Sequence, residues 1–364
     1  MSQSSANRRG RSIHFTAPGE PLRIATVDVA DPGPGEILVK LSLAGICGSD
    51  VHRLTGDLPF SGEPVCIGHE AVGTVVAVGA GGAEDSQGLP LQVADNVYWM
   101  PIALCGTCDS CRQERGPAFC ASFVWPLPSG TPNAAAFQDY SLITRGVPVH
   151  RIPTGIDPAA VIAFGCAMPT AIGGFMRLGE VEKEVVIQGA GPVGLAATVL
   201  AVRAGARVIV IGAPRNRLEI ALQLGGSDVI DLESSTPADR KARILEATQG
   251  RGPGLVIEAA GHISAFDEGM DLVASHGRYL IMGLYSGRTT TPFNPVTINN
   301  RNLTIIGSLG YPPKALARTV ELAGEPVAAG FPSLITHRFP LERTDEAIAT
   351  AARGEGVKVV VSPG

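Results

Sequence analysis

Glu184–Gly194, EVVIQGAGPVG, is the stretch from which the fold of this chain is read. Val185–Gln188 has the apolar, β-branched character of a short buried strand. The sequence then turns at Gly189-Ala190-Gly191-Pro192-Val193-Gly194 into a helix. In this G-x-G-x-x-G spacing each glycine has its own physical task. Gly189 permits the tight turn, Gly191 lets a pyrophosphate approach the backbone, and Gly194 lets the helix pack closely on the strand. The helix N-terminus, at Pro192 and Val193, offers free N–H groups and a positive dipole end to phosphate oxygens. With 45 glycines in 364 residues, a lone match would carry little. Here a second strand, Arg207–Ile211, follows the helix, as a dinucleotide-binding βαβ unit requires.

Working outward, helix and strand patterns alternate through Pro192–Ala204, Arg207–Ile211, Asn216–Leu224, Asp228–Asp231, Ala238–Thr248, Leu255–Glu258, Ile263–Val273, Arg278–Met282 and Leu303–Ile306. That alternation predicts a parallel sheet with helices on both faces. Between Ser12 and about Arg151 the segments are short, alternate in polarity and are broken by Gly and Pro. Leu22–Asp28, Glu36–Ala44, Ala71–Val78 and Gln92–Trp99 read as strands of an all-β lobe, a compact barrel. Helical periodicity returns at Asp157–Phe175 and Pro313–Ala323, and a last strand, Val357–Val361, is expected to return to the first lobe. Met1–Ser12 carries Arg8, Arg9 and Arg11 without the apolar core of a secretory signal, and is expected to be a disordered, solvated arm.

Hydrophobic content of 45% with 17% charged residues fits a globular protein, and the net charge of −5 gives no reason to expect nucleic acid or an anionic membrane as partner. Val185–Val202 is a long uncharged run, but the glycine-rich turn and Pro192 argue against a membrane span. A cytoplasmic location is expected. Of seven cysteines, Cys105, Cys108, Cys111 and Cys120 fall within sixteen residues. In a cytosolic chain such spacing means metal more often than disulfides. These four thiols can close a tetrahedral, structural site with no room for substrate. Cys47, His69 and Cys166 would supply an open, catalytic site in the cleft between the lobes. Their bland reading is a small buried hydrophobe in each cysteine and a hydrogen-bonded core histidine. Cys66, flanked by Val65 and Ile67, reads as core. Ser49 reads equally as the cap of a short helical turn, Ser49–Leu54, or as a proton-relay group.

GICGSDVH (Gly45–His52), GHEAVGTVVAVG (Gly68–Gly79), the four-cysteine lobe, FGCAMPTA (Phe164–Ala171) and VIQGAGPVGLAA (Val186–Ala197) together resemble the zinc-dependent alcohol dehydrogenases of the medium-chain dehydrogenase/reductase family. The resemblance spans Ser12 to Pro363. It implies an α/β protein: a GroES-like, β-rich catalytic domain (residues 1–165 and 307–364, with a structural zinc lobe at about 99–125) around a Rossmann doubly wound parallel sheet (166–306). Homodimers or homotetramers are implied as well. Position by position it puts Cys47, His69 and Cys166 on the catalytic zinc, with Glu70 a carboxylate able to approach it. It makes Cys105, Cys108, Cys111 and Cys120 ligands of a second zinc, although the last cysteine gap is one residue longer than family members usually have. Asp50 would orient the zinc-binding imidazole. Ser49 and His52 would pass the alcohol proton to solvent. Thr170 would lie beside the nicotinamide and Lys358 near the pyrophosphate. The implied chemistry is hydride transfer between an alcohol and NAD(P), with zinc as Lewis acid.

Cofactor choice is read from the second strand. NAD-specific Rossmann enzymes place an acid there, about 20 residues past the turn, to bond the ribose. Gly212 occupies that place, and Arg215 and Arg217 follow and could bond a 2′-phosphate. NADP is therefore slightly favoured, with dual use possible. Trp99, Met100 and Trp125 are apolar candidates for a substrate pocket, which suits secondary aliphatic, alicyclic or aromatic alcohols; a polyol or amino-alcohol is the alternative. Zinc-free quinone or enone reductases share this scaffold but lack the cysteine lobe and the Cys/His ligands. A non-catalytic zinc- and nucleotide-binding protein would not need the relay-like Ser49 and His52.

Overall fold

A computed structural model describes residues 8–113, 120, 122, 133–285 and 290–364. The chain forms two compact units, Met1–Cys166 with Pro312–Gly364, and Ala167–Tyr311.

The first unit contains β1 (Arg9–Phe15), β2 (Arg23–Asp28), β3 (Ile37–Gly45), α1 (Gly48–Thr55), β4 (Val65–Cys66), β5 (Ala71–Val78), β6 (Asn96–Trp99), α2 (Asp109–Arg112), β7 (Tyr140–Ile143), β8 (Val149–Ile152) and α3 (Pro158–Ile162). The second unit holds α4 (Ala167–Leu178), β9 (Glu184–Gln188), α5 (Pro192–Arg203), β10 (Arg207–Gly212), α6 (Arg215–Gln223), β11 (Asp228–Asp231), α7 (Pro237–Ala247), β12 (Leu255–Glu258), α8 (Ile263–Leu272), β13 (Arg278–Ile281), α9 (Val296–Arg301) and β14 (Thr304–Gly307). The chain then completes the first unit with α10 (Pro313–Ala323), β15 (Ile335–Pro340), α11 (Thr344–Ala352) and β16 (Lys358–Ser362).

In the first unit one sheet runs β15-β16-β3-β5-β6-β8, with β7 also on β3, and a smaller one runs β2-β1-β4. Strand residues Ile13, Phe15, Val39, Leu41, Val75, Val97 and Trp99 form one core with Phe137 from the segment before β7. β16 is buried along Lys358–Val361 and apolar from Val359 to Val361, and it pairs antiparallel with β3, Val360 opposite Gly45 and Val361 opposite Ala44. On the other side of β3, Ala44 faces Ala71 of β5. This order brings Lys358 and Glu70 together over Gly45.

The expected disordered arm is corrected from Arg9 onward: Arg9–Phe15 is β1, antiparallel to β2. The Arg11 guanidinium grips Asp139 through Nε (2.9 Å) and Nη2 (2.7 Å), and its backbone N–H donates to the same carboxylate at 2.7 Å. The partner lies 128 residues away, so no local pattern announces it.

The second unit is an all-parallel sheet in the order β11-β10-β9-β12-β13-β14. The order reverses between β9 and β12, the switch point at which open α/β sheets bind ligands beyond their strand ends. Val186, Ile209, Ile211, Val256 and Tyr279 are buried in its core. These strands carry apolar residues on both faces because helices cover both sides.

Candidate active site and dinucleotide cavity

In the first unit, α1 starts from Cys47, whose extended backbone (φ −113°, ψ 158°) makes it the N-cap. Its N–H donates to Asp50 Oδ2 at 2.9 Å. Ser49 is therefore the second helical residue and does not cap the helix. Asp50 is 3% exposed, and its other oxygen lies 3.4 Å from His69 Nδ1. One buried carboxylate thus secures the helix start and fixes the imidazole. The opposite nitrogen, Nε2, sits 3.3 Å from Ser49 Oγ. His69 follows Gly68, whose φ of +86° only glycine adopts easily and where a Cβ would press within 2.6–2.8 Å of Phe137.

Cys47 and Cys166 bring their sulfurs to 3.5 Å, and the ligand atoms of Cys47, His69, Glu70 and Cys166 all lie within 4.8 Å of one another. The Cys47 thiol falls well below its ordinary pKa, first because Cys166 donates to it, then through the nearby His69, against the opposing effect of burial. Cys166 rises well above the usual thiol value, by that same hydrogen bond and by burial. Burial lowers the His69 pKa, but Asp50 and Cys47 more than offset it and leave it raised. Two soft sulfurs sharing a proton beside an oriented imidazole are the donor set that suits a zinc dication.

Glu70 stands behind this set. Its Oε1 accepts from the Cys166 N–H at 2.8 Å, and Oε2 accepts from Lys358 Nζ. Lys358 also donates to the Ile46 carbonyl at 3.0 Å and is 2% exposed. Burial pulls the Lys358 pKa down, and Glu70, Cys47 and Cys166 more than restore it. Lys358, which the resemblance puts near a pyrophosphate, has its ammonium buried and engaged by Glu70 and Ile46. Tyr98 is a site residue that sequence reading missed. Its hydroxyl donates to the Gly165 carbonyl at 3.1 Å, pinning the residue before Cys166. Only its place in β6 beside Trp99 hinted at burial.

His52 lies three residues beyond Ser49 on α1, and its Nδ1 is 3.0 Å from Asp57 Oδ2 at a partly exposed position. The helix thus carries a hydroxyl at the ligand cluster and an imidazole toward solvent.

In the cysteine lobe, α2 starts at Cys108. The four thiols of Cys105, Cys108, Cys111 and Cys120 lie within 4.8 Å of one another. Cys105 is pushed down to about 6, chiefly by backbone N–H groups of Cys108 and Thr107. Cys111 is pushed up to about 12, chiefly by burial.

Trp99 and Met100 are each 1% exposed, and the Trp99 indole donates to the Ala134 carbonyl at 2.7 Å. Both belong to the buried core, Trp99 in the cluster that holds Ile13, Val39 and Phe137. Trp125 lies outside the described residues.

The second unit holds a cavity of about 1010 Å³ at the switch point, lined by Gly189, Ala190, Gly191, Gly212 and Arg217 among others. Gly189 has φ +109°. A Cβ on Gly194 would overlap the Gly189 carbonyl, whereas one on Gly191 would meet no atom within 4 Å. The space above Gly191 is thus left to a ligand. Pro192 and Val193 open α5 at the cavity's edge of the turn. A Cβ on Gly212 would come within 2.7 Å of Ala190 Cβ and 2.8 Å of its nitrogen, so this backbone has no room for an acid there. The two arginines part company. Arg217 lines the cavity, whereas Arg215 has a 69% exposed side chain 3.8 Å from Glu219. Thr170 is half-buried in the first turn of α4.

Comparison with known proteins places this geometry. Residues 33–154 match the alcohol dehydrogenase GroES-like domain, and residues 192–325 match the zinc-binding dehydrogenase family. The chain is 37% identical over 353 residues to 5-exo-hydroxycamphor dehydrogenase of Pseudomonas putida, covering 94% of this chain and 96% of the relative. The chain belongs to the zinc-dependent alcohol dehydrogenases of the medium-chain dehydrogenase/reductase family. Among solved structures, an alcohol dehydrogenase of Thermotoga maritima aligns with a TM-score of 0.89 at 28% identity, over 98% of this chain and all of that one. A zinc-binding dehydrogenase of Sinorhizobium meliloti bound to NADP aligns with a TM-score of 0.83 at 26% identity, over 98% and 100% of the two chains. This dehydrogenase is an oxidoreductase acting on a small-molecule alcohol with zinc and a nicotinamide cofactor. Among its described residues no helix is long and apolar enough to cross a membrane.

Proposed function

We propose that the enzyme interconverts an apolar secondary alcohol, alicyclic or aromatic, with its ketone. One zinc would be held by Cys47, His69 and Cys166 and a second by Cys105, Cys108, Cys111 and Cys120. The observation that carries this reading is the meeting of Cys47, His69 and Cys166 with Ser49 Oγ 3.3 Å from His69 Nε2. When bound, zinc supplies a Lewis acid that lowers the alcohol pKa, and the nicotinamide supplies the hydride acceptor. Asp50 holds the His69 ring in one orientation. Ser49 accepts the alcohol proton in a hydrogen bond. His52, three residues on, releases it to solvent with Asp57 steadying Nδ1. Cys47 and Cys166 place negative charge behind the reacting oxygen, and the glycine-rich turn with Arg217 binds the dinucleotide.

The alicyclic preference is supported by the hydroxycamphor relative, whose named substrate is a bicyclic secondary alcohol. A slight preference for NADP is supported by the missing acid at Gly212, by Arg217 in the cavity and by the NADP-bound relative. Seven free thiols suit a reducing cytoplasm. Exposed apolar Phe293, Val296 and Leu309 suit a homodimer or homotetramer.

A panel of alicyclic, benzylic, polyol and amino-alcohol substrates, each run with NAD and NADP, tests the proposal. The highest kcat/KM is expected with an alicyclic alcohol, and Arg217→Ala is expected to weaken NADP use about tenfold, roughly 1.4 kcal/mol, with NAD use unchanged. A polyol or amino-alcohol at the top of the panel would overturn the substrate class. Equal loss with both cofactors would remove Arg217 as a phosphate reader.

A further inference from the structure

We propose that Lys358 holds Glu70 back from the catalytic metal, so that the position beside Cys47, His69 and Cys166 stays open for the alcohol. The inference rests on the proposed zinc site and concerns a positioning residue. Glu70 is within reach of the metal, since its carboxylate lies within 4.8 Å of the three ligand atoms. Both of its oxygens are nevertheless engaged away from them, Oε1 by the Cys166 N–H at 2.8 Å and Oε2 by Lys358 Nζ. The two side chains are 1% and 2% exposed, so water does not compete for either.

The backbone keeps a slot for this arrangement. A Cβ on Gly45 would overlap Glu70 Oε2 and lie 2.9 Å from Lys358 Nζ, and a Cβ on Gly165 would overlap the Glu70 carboxylate. Gly45 is the end of β3, Glu70 directly precedes β5 and Lys358 opens β16, so the slot exists only where these strands are neighbours. Charge gives the reason for the lysine. Two thiolates and a carboxylate around a dication leave one negative charge over, and the Lys358 ammonium cancels it. Without that ammonium a buried carboxylate has no cation but the metal, and an unpaired buried charge is too costly to persist. Glu70 would then turn to the metal and fill the place the alcohol needs.

The test uses the full chain with cobalt(II) in place of zinc and imidazole as the probe ligand, read in the visible cobalt bands. The four-thiol site is closed and does not respond to imidazole. Wild type is expected to show sulfur-to-cobalt charge transfer and an imidazole-dependent band shift. Lys358→Met is expected to raise the imidazole Kd tenfold or more. Lys358→Arg, and the double variant Lys358→Met with Glu70→Gln, should return it to less than tenfold from wild type. A Kd in Lys358→Met less than tenfold from wild type would overturn the proposal. So would a double variant as weak as Lys358→Met, which would mark a purely structural lysine. If Lys358→Met does not fold, Glu70→Gln decides: an imidazole Kd within tenfold of wild type is expected. A tenfold tightening would show that Glu70 competes for the metal even beside Lys358. No imidazole response in wild type would instead overturn the open zinc site itself, because the four-thiol site gives a charge-transfer band of its own.

Discussion

At the scale of single residues, the site depends on donors whose replacement removes a specific function. Cys47→Ser or His69→Ala takes away a donor that would hold the metal against the alcohol oxygen, while the dinucleotide cavity in the other unit is untouched. Turnover is expected to fall at least about a hundredfold, as loss of several kcal/mol of charge stabilisation requires. Cofactor affinity, measured by fluorescence titration, should change little. Near wild-type kcat in either variant would rule out the proposed roles of these residues. Asp50 shows how one side chain can serve two ends: its oxygens separately bind the Cys47 N–H and approach the His69 ring.

At the scale of elements, β1 shows how a strand can hide in a basic segment. RGRSIHF buries Ser12, Ile13 and Phe15, while Arg11 is drawn to Asp139. Burial raises the Asp139 pKa, and the Arg11 hydrogen bonds more than offset it, leaving it below the ordinary carboxylate value. A depressed folded pKa means that the contribution is complete above the unfolded value of about 3.9 and is lost as pH falls through the depressed one. Asp139→Asn is therefore expected to cost about 2 kcal/mol at pH 7, with the difference from wild type shrinking in acid. Urea unfolding followed by tryptophan fluorescence can read this, because Trp99 is buried in the first unit. An equal cost at neutral and at strongly acid pH would show that the charge pair is not the cause. α1 is the opposite kind of element, with its cap, its hydroxyl and its histidine within six residues and legible together.

At the scale of the whole molecule, both proposed metal sites belong to the first unit and the dinucleotide cavity to the second. Metal loss should therefore weaken one unit selectively. Cys108→Ser removes one of four thiols that lie within 4.8 Å of one another. It is expected to lower zinc content from about two to about one per chain, and to lower the Tm of the first unit by on the order of 5 °C. Elemental analysis and scanning calorimetry measure both. Unchanged zinc content would remove the cysteine lobe as a metal site.

What the sequence determined by itself is what neighbouring residues encode. The parallel sheet was legible because each strand and helix carries its own period, whereas its strand order β11-β10-β9-β12-β13-β14 is a finding of the structure. The cysteine lobe was legible because its thiols are three to nine residues apart. The cluster of Ser49, Asp50 and His52 was legible as one turn of helix. That Cys47 and Cys166 share a site was already expected from the sequence and its resemblance, but only the tertiary structure decided that Lys358 reaches Glu70 across 288 residues and that Trp99 is core. Such pairs are set by which strands become neighbours, here β16 on β3 and β3 on β5. A lysine in an apolar strand carries no local mark of its partner. The low-dielectric interior selects that partner only after the sheet has closed around it.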